Sequence, residues 1–234
     1  MATFCLIHGN WHDGSCWSPL VEGLRSRSHD AIAPDLPFDD TAATCAERAR
    51  PAITALVNVE EPIVVVAHSV GSAEGALVAA ECDPALLVYL CPRFGSFKAP
   101  EDAPPVFREG FPFPPRDDQG RMVWDPDAAL AAMYPRLPED VARRLAERLR
   151  PGAVAVGEYP LGEHPEVATA LIFASHDEFF TPEWERFVAR ELLGVEPIEI
   201  PTGHFPMIED PAALTDLLDR LARSAEASQE LQRG

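Results

Sequence analysis

The sequence predicts an α/β protein built on a mostly parallel, doubly wound sheet of about six strands. Two observations lead to this fold class. Short apolar runs alternate along the chain with stretches in which apolar residues recur every three or four positions, which is the pattern of strands connected by helices. The clearest run is I-V-V-V at residues 63–66. It is too apolar for a strand with one face in water, so we expect it at the centre of a parallel sheet.

Each strand is predicted from a short apolar run that ends at glycine, proline or a polar residue. By this criterion the strands lie at residues 3–7, 31–33, 63–66, 85–91, 169–174 and 196–200. Helix-forming residues with apolar spacing predict helices at residues 15–27, 44–57, 72–83, 126–133, 138–149, 182–193 and 210–222. Asp210 supplies an N-cap for the last helix, and residues 224–234 are expected to fray.

Composition indicates a single domain, residues 1–234, with an insertion at about residues 93–168. The chain is 47% hydrophobic and 24% charged, which is ordinary for a globular domain. The insertion carries 10 basic and 13 acidic residues in a chain whose net charge is −19, and it is rich in phenylalanine and proline. Because its surface differs from the acidic remainder, we expect the insertion to form a lid.

Charge and cysteine content exclude several classes of protein. A net charge of −19 is unsuited to binding nucleic acid or an anionic membrane, because both require a basic surface. No apolar run is long enough to cross a membrane, and the N-terminus has no basic region or cleavage site, so a cytoplasmic location is expected. Five cysteines without C-x-x-C spacing favour reduced thiols. The expected partner is a small-molecule substrate, and the sequence leaves the oligomeric state open.

The central strand runs directly into a candidate nucleophile. Residues 67–71, A-H-S-V-G, match the G-x-S-x-G nucleophile elbow with alanine at the first small position. In such a turn Ser69 is held in strained backbone geometry, where the dipole of the next helix favours developing negative charge. A serine in a turn of small residues is also common in α/β proteins, so the rest of the chain must supply its partners.

A serine hydroxyl needs a base to take its proton at neutral pH. His204 lies in P-T-G-H-F-P directly after the last strand, in a loop that reaches the edge of the sheet where Ser69 lies. Its alternative role is to cap the following helix. His68 is adjacent to Ser69, so its side chain must point the other way, whereas His29 and His164 occupy ordinary turns. His204 is therefore the predicted base.

The base in turn needs an acid that fixes its tautomer and stabilises its charged form. Asp177, in S-H-D-E-F directly after a buried strand, is the predicted acid. Glu178 beside it is the alternative, and Asp177 could instead cap a helix. The order serine, aspartate, histidine along the chain is that of α/β-hydrolases and of neither other common serine-hydrolase arrangement.

The tetrahedral intermediate of acyl transfer also needs hydrogen-bond donors. We expect these to be the backbone N–H groups of Val70, directly after the nucleophile, and of Asn10, in the loop after the first strand. Gly9 would let the backbone approach the substrate closely, although glycine is also common in ordinary loops.

The first loop carries a resemblance to a known family. Its sequence H-G-N-W-H-D-G-S-C-W, residues 8–17, resembles the HGxxHGxWxW motif of an α/β-hydrolase branch that contains plant methyl-salicylate esterases, hydroxynitrile lyases and small bacterial hydrolases. The resemblance continues at residues 33–37, 67–71, 87–90, 175–179 and 203–204, and it covers nearly the whole chain outside the insertion. The chain departs from the pattern at Asn10, Asp13, Ala67 and Ser72. The resemblance implies the α/β-hydrolase fold, with a small helical lid, and a Ser-His-Asp enzyme.

Residues of the first loop, the strand ends and the insertion are expected to line a substrate pocket. The predicted lining residues are Gly9, Trp11, His12, Phe94, Phe107, Phe111, Phe113, Trp124, Tyr134, Phe180 and Phe205. We expect no cofactor and no metal, because no cluster of His, Asp or Glu has the spacing of metal ligands. The expected function is hydrolysis of carboxylic esters of small, neutral, apolar or aryl substrates through an acyl-serine intermediate.

Two other functions are compatible with the same triad. One is a lyase or a carbon–carbon hydrolase, since this fold hosts several chemistries. The other is a ligand sensor with slow turnover. In the hydroxynitrile lyases of this branch, threonine replaces the glycine of the first loop and lysine follows the catalytic histidine. This chain has Gly9 and Phe205 at those positions, so the resemblance favours a hydrolase over a lyase.

Overall fold

The computed structural model describes residues 1–60, 62–93 and 100–233, and the expected pocket residue Phe94 lies outside them. At its centre is one sheet of six parallel strands in the order β2-β1-β3-β4-β5-β6. The strands are β1 (Thr3–Ile7), β2 (Asp30–Ile32), β3 (Ile63–His68), β4 (Leu86–Leu90), β5 (Thr169–Ala174) and β6 (Ile198–Ile200). The predicted parallel sheet is confirmed, and each strand lies within two residues of its predicted bounds.

Strand β3 is central, with β1 on one side and β4 on the other. Consecutive side chains of a strand point to opposite faces, so Val64 and Val66 pack into one core whereas Val65 and Ala67 pack into the other. Both faces of the sheet are covered, which explains why this run is apolar at every position. Because all the strands run in the same direction, the loops that follow them meet at one edge of the sheet.

Helices flank the sheet on both faces. They are α1 (Ser18–Ser26), α2 (Cys45–Leu56), α3 (Ser72–Cys82), α4 (Pro126–Met133), α5 (Glu139–Ala146), α6 (Pro182–Phe187), α7 (Pro206–Glu209) and α8 (Pro211–Arg233). Helix α2 begins with a capping box, in which Thr44 and Glu47 each accept the backbone N–H of the other. Within the described part of the chain, no helix is both long and apolar enough to span a membrane.

Several helices differ from the prediction. Helix α1 begins at Ser18, after a 3₁₀ turn, α5 ends at Ala146, and α7 was not predicted. The segment predicted as one helix at 182–193 consists of α6 followed by a π-helical turn, Val188–Leu192. Helix α8 continues to Arg233, so the prediction that residues 224–233 fray is wrong. The sequence signal for α8 weakens after Ala222 because the apolar residues become sparse, although good helix formers continue.

The chain between β4 and β5 carries α4 and α5 and is fastened to the loop that follows β1. The hydroxyl of Tyr134 and Nε2 of His12 are hydrogen-bonded at 2.7 Å. The carbonyl of Trp11 accepts the backbone N–H of Arg150 at 2.8 Å, and the Trp11 indole N–H donates to the carbonyl of Met122 at 3.3 Å. The insertion therefore lies against the edge of the sheet where the strands end.

Candidate active site

Ser69 lies at a sharp turn between β3 and α3. Its φ is +55°, in the left-handed region that residues other than glycine rarely adopt. A 3₁₀-helical turn, Ser69–Gly71, leads directly into α3. A Cβ at position 71 would lie 2.4 Å from the carbonyl oxygen of His8, so only glycine fits there. The start of the helix is thus held close against the loop after β1.

The structure brings together the three residues predicted to form the triad. Nε2 of His204 lies 3.0 Å from Oγ of Ser69, and Nδ1 of His204 lies 2.7 Å from Oδ2 of Asp177. All three side chains are buried. An ionised carboxylate only accepts hydrogen bonds, so Nδ1 carries the proton of the neutral imidazole and Nε2 is left to accept the proton of the serine hydroxyl.

The remaining hydrogen bonds of Asp177 fix its orientation. Its Oδ1 accepts the backbone N–H groups of Phe179 at 2.7 Å and Phe180 at 2.9 Å. The same two aromatic rings cover the imidazole of His204, at centroid distances of 4.2 Å and 5.0 Å. Aromatic cover of this kind keeps water from competing for the hydrogen bonds of the imidazole.

Glu178, the alternative acid, contacts the backbone of the histidine rather than its ring. Its Oε2 accepts the N–H of His204 at 3.2 Å, and burial raises the pKa of its carboxyl. The neighbouring N–H of Gly203 donates to Glu209 at 2.9 Å. The carboxyl groups of Glu178 and Glu209 hold the loop that carries His204, whereas the carboxyl group of Asp177 contacts the imidazole.

Other histidines near the triad are held by structural contacts. The Nε2 of His68 lies 2.8 Å from the carbonyl of His204, so this ring is held by the backbone of the loop that carries His204. In His8, Nε2 accepts the N–H of Leu36 at 3.0 Å, so Nδ1 is protonated and donates to the carbonyl of Gly9 at 2.9 Å. Burial lowers the pKa of both His8 and His68. Both are therefore neutral at physiological pH.

The expected oxyanion donors are the backbone N–H groups of Asn10 and Val70. Asn10, Ser69 and Val70 border the same cavity. Val70 is the second residue of a 3₁₀ turn, where a backbone N–H has no acceptor within the helix. Gly9 lies against Ser69, since a Cβ at this position would be 2.9 Å from Cβ of Ser69.

The cavity that contains Ser69 has a volume of about 460 Å³. Four of the predicted pocket residues border it, namely Trp11, Phe107, Phe113 and Phe180, and so do Met122 and Phe179. Six predicted residues do not border it, namely Gly9, His12, Phe111, Trp124, Tyr134 and Phe205.

Gly9 has no side chain, and the side chains of the other five are directed elsewhere by packing. His12 and Tyr134 bond to each other, and Phe205 packs against the ring of His12 at 4.8 Å. Trp124 is buried with its ring edge-to-face with that of Trp11. Phe111 borders a separate, larger groove of about 830 Å³, which touches Asp177 but not Ser69.

The cavity also has polar and charged lining residues that no sequence motif indicates. Its charged residues and thiol are Cys45, Arg48, Glu74, Arg93 and Arg116. The first three lie on α2 and α3, helices whose sequences showed no feature associated with chemistry. Only the packing of one helix beside the other shows that these side chains border the cavity of Ser69.

Among the described residues, one group has the composition and spacing to hold a metal ion. It comprises Cys91, Asp177 and His204, whose potential ligand atoms lie within 4.8 Å of one another. Asp177 and His204 are already hydrogen-bonded to each other, and burial raises the pKa of the Cys91 thiol, which favours its protonated form. A metal at this position would have to displace the Asp177–His204 hydrogen bond and deprotonate a buried thiol.

A serine at a strand-to-helix elbow, joined through a histidine to an aspartate at the ends of later parallel strands, is the arrangement of α/β-hydrolases. The alpha/beta hydrolase family model matches residues 6–217, and the chain belongs to this family. The expected family is thus confirmed. No curated protein sequence matches the chain.

Several solved structures share the fold over nearly their full length. The chain is similar to the methylesterase MES16 from Arabidopsis, with a TM-score of 0.74 and 15% identity over 95% of this chain and 99% of the other. It is also similar to polyneuridine aldehyde esterase, with a TM-score of 0.73 and 19% identity over 95% and 99%. A pyrethroid hydrolase from Sphingobium faniae gives a TM-score of 0.67 and 21% identity over 95% and 98%. At these identities the similarity is one of fold.

Proposed function

We propose that this chain is a serine hydrolase that cleaves carboxylic esters of small, neutral substrates with an apolar or aryl portion. The observation that carries the proposal is the continuous series of hydrogen bonds from Asp177 through His204 to Ser69. A serine in this arrangement lies within hydrogen-bond distance of its base. The acid holds that base in the tautomer that can accept the serine proton. The strained elbow supports the same role, because strained backbone is concentrated at functional sites.

In the first half-reaction Oγ of Ser69 attacks the carbonyl carbon of the ester while Nε2 of His204 takes the hydroxyl proton. The carbonyl oxygen becomes an oxyanion, which the N–H groups of Asn10 and Val70 stabilise. When the tetrahedral intermediate collapses, the bond to the alcohol oxygen breaks and His204 returns its proton to the leaving alkoxide. The products of this step are a free alcohol and acylated Ser69.

In the second half-reaction a water molecule replaces the alcohol. His204 takes a proton from the water, and the resulting hydroxide attacks the acyl carbon. Collapse of the second tetrahedral intermediate releases the carboxylic acid and returns the proton to Oγ of Ser69. In both halves Asp177 accepts the Nδ1–H hydrogen bond and stabilises the positive charge on the imidazole.

The cavity walls support an apolar or aryl substrate portion. Trp11, Phe107, Phe113 and Phe180 form an aromatic wall beside Ser69. Two of these four belong to the insertion at residues 93–168, so we assign this segment the role of a lid. The proposal of a neutral substrate rests on two buried side chains that border the same cavity, Arg48 and Glu74, because they carry opposite charges when both are ionised. An ion of either sign would meet a like charge there.

Fluorophosphonate labelling with intact-mass analysis tests the nucleophile, and a panel of aryl and methyl esters tests the reaction. We expect one label per chain in the native protein, no label after Ser69→Ala, and turnover of neutral esters. Labelling of the Ser69→Ala variant would place the nucleophile elsewhere. Complete labelling without turnover of any ester would favour the slow ligand sensor.

A further inference from the structure

The loop that follows β1 carries the expected oxyanion donor in a strained backbone conformation. Trp11, the residue after Asn10, has a φ of +67°, in the left-handed region that few residues other than glycine adopt. Such a conformation persists only where the surrounding contacts impose it. The shape of this loop, and with it the position of the Asn10 N–H group, therefore depends on neighbouring parts of the chain.

A histidine ring holds each of the two peptide units that flank Asn10. The carbonyl of Gly9 accepts Nδ1–H of His8 at 2.9 Å, and Nδ1 of His12 lies 3.2 Å from the carbonyl of Asn10. A carbonyl oxygen only accepts hydrogen bonds, so Nδ1 of His12 carries the proton of the neutral ring. Burial lowers the pKa of His12 to about 4, which keeps the ring neutral at physiological pH. With both flanking peptide units held, the Asn10 N–H group has a fixed direction.

The ring of His12 is itself oriented from the insertion. Its Nε2 carries no proton and accepts the hydroxyl of Tyr134, at the end of α4, at 2.7 Å. Tyr134 is buried, and the ring of Phe205 packs against both partners, at centroid distances of 4.8 Å from His12 and 5.4 Å from Tyr134. The Tyr134 hydroxyl thus fixes the tautomer and the orientation of the ring that holds the Asn10 carbonyl.

The insertion contacts the same loop at three further residues. The Trp11 carbonyl accepts the backbone N–H of Arg150 at 2.8 Å, and the Trp11 indole N–H donates to the carbonyl of Met122 at 3.3 Å. Gly152 packs closely here, since a Cβ at this position would lie 2.9 Å from the Trp11 indole nitrogen and 3.0 Å from Cγ of Asn10. The strained residue and its neighbour are therefore the ones that the insertion contacts.

We propose that His12 and Tyr134 are positioning residues for the oxyanion donor of Asn10. The Tyr134 hydroxyl orients the His12 ring, the ring holds the Asn10 carbonyl, and the Asn10 N–H group thereby stays in place for the oxyanion. Neither His12 nor Tyr134 borders the cavity, so both act through Asn10. This inference rests on the proposed function, because the N–H group has a catalytic task only if Ser69 attacks a carbonyl.

The Tyr134→Phe variant removes the hydroxyl and keeps the ring that packs against Phe205. The oxyanion forms only during the reaction, so we expect kcat for para-nitrophenyl acetate to fall by roughly tenfold with KM within about twofold of native. The matched control is Tyr89→Phe, which removes another buried tyrosine hydroxyl beside a histidine of the insertion, 3.1 Å from Nε2 of His164. Unchanged kcat after Tyr134→Phe, an equal loss in the control, or a change confined to KM would overturn the proposal.

Substitutions at His12 separate the tasks of its two ring nitrogens. Glutamine places its amide near the position of Nε2, whereas asparagine places an amide N–H near that of Nδ1. His12→Gln should therefore release the Asn10 carbonyl and lower kcat by roughly 10- to 100-fold, less than the 10²- to 10³-fold cost of deleting an oxyanion donor. His12→Asn keeps a donor for that carbonyl and should retain kcat within about threefold of Tyr134→Phe. Equal kcat in the two His12 variants would refute the role of the Asn10 carbonyl.

Combining the substitutions tests whether Tyr134 acts through His12. In the His12→Gln background, Tyr134→Phe should lower kcat by less than about twofold, because the side chain it contacts no longer holds the Asn10 carbonyl. A loss as large as in the native background would refute the proposal. The control is His29→Gln, since His29 is buried and uses both ring nitrogens, with Ala2 and Asp219, at the other edge of the sheet. An equal loss of kcat in His29→Gln would mean that any buried histidine has this effect, and would also refute the proposal.

Two measurements separate the positioning role from turnover. Benzyl trifluoromethyl ketone forms an oxyanion when Oγ of Ser69 adds to it, so its Ki should rise across the variants in proportion to the fall in kcat/KM. Hydrogen exchange at the amides of residues 9–13 requires no activity and should be roughly tenfold faster in Tyr134→Phe than in the native protein or Tyr89→Phe. Faster exchange in a protein that hydrolyses no ester would support the hold of Tyr134 on the loop and reject the proposed function. Normal ester turnover by the native protein, with exchange and Ki unchanged in Tyr134→Phe, would leave the proposed function intact and refute the positioning role.

Discussion

Replacement of Asp177 by asparagine tests the triad at the group whose hydrogen bonds are best defined. In the native protein Oδ1 accepts two backbone N–H groups, from Phe179 and Phe180, while Oδ2 accepts Nδ1–H of His204. An asparagine that keeps its oxygen toward the backbone N–H groups presents its NH₂ group to His204. Nδ1 must then accept, so the imidazole proton moves to Nε2. In that tautomer Nε2 has no free lone pair with which to take the proton of Ser69.

The size of the expected fall in kcat depends on whether the asparagine side chain can adopt its alternative orientation. Turning the amide over would restore an acceptor for Nδ1 of His204, but it would direct the NH₂ group at two buried N–H donors. Each unpaired buried donor costs roughly 1–3 kcal/mol, so this orientation is disfavoured by about 2–6 kcal/mol. The inactive tautomer therefore dominates. We expect kcat to fall by roughly 10⁴-fold, the effect of this change in another serine hydrolase, with KM little changed.

Initial rates on an aryl ester measure the effect, with the rate of fluorophosphonate labelling as a second readout and circular dichroism as a check on folding. Glu178→Gln is the matched control, since Glu178 contacts the backbone N–H of His204 and not its ring. The control should lower kcat by less than about tenfold. Full turnover after Asp177→Asn, or a larger loss after Glu178→Gln, would transfer the acid role to Glu178.

Three further predictions concern the surroundings of the triad. Gly9→Thr should suppress esterase activity by crowding the nucleophile, because its Cβ would lie 2.9 Å from Cβ of Ser69; unchanged kcat/KM would contradict this. The native protein should release no cyanide from mandelonitrile above the buffer rate, because Gly9 and Phe205 occupy the positions of the lyase threonine and lysine; rapid release without ester turnover would favour the lyase. Glu74→Gln should gain stability relative to native as pH rises. The raised pKa of Glu74, about 7 against 4.5, makes the native protein lose up to about 3 kcal/mol between pH 4.5 and 7, and urea unfolding at both pH values measures the difference.

The proximity of Ser69, Asp177 and His204 could be predicted from the sequence because each residue carries a local signal. Ser69 follows a run of β-branched residues and precedes helix formers, and Asp177 and His204 each come directly after an apolar run. In a parallel sheet the carboxyl ends of all the strands lie at one edge. Placing each residue directly after a strand is therefore enough to predict that the three lie near one another. The same signals gave the strand bounds to within two residues.

The cavity walls were less predictable because they depend on packing between elements that are distant in sequence. His12 was expected in the pocket for its position in the first loop, but its ring is bonded to Tyr134, which lies 122 residues further on. Conversely, Arg48 and Glu74 are charged residues within helices, a pattern typical of a solvated surface. Their burial results from the approach of α2 and α3 beside the insertion, and no local feature of either helix indicates it.

The alanine at the first small position of the elbow shows how such a motif depends on pairs of residues. In the structure a Cβ at Gly75, one turn into α3, would lie 2.3 Å from Cβ of Ala67. The contact between strand and helix therefore has room for one methyl group, and this chain places it on the strand. Glycine within a helix costs roughly 1 kcal/mol relative to alanine, so the sequence of α3 alone gives no reason for Gly75. The requirement at the elbow is for a small combined volume at positions 67 and 75, which explains why Ser69 keeps its geometry without the usual glycine.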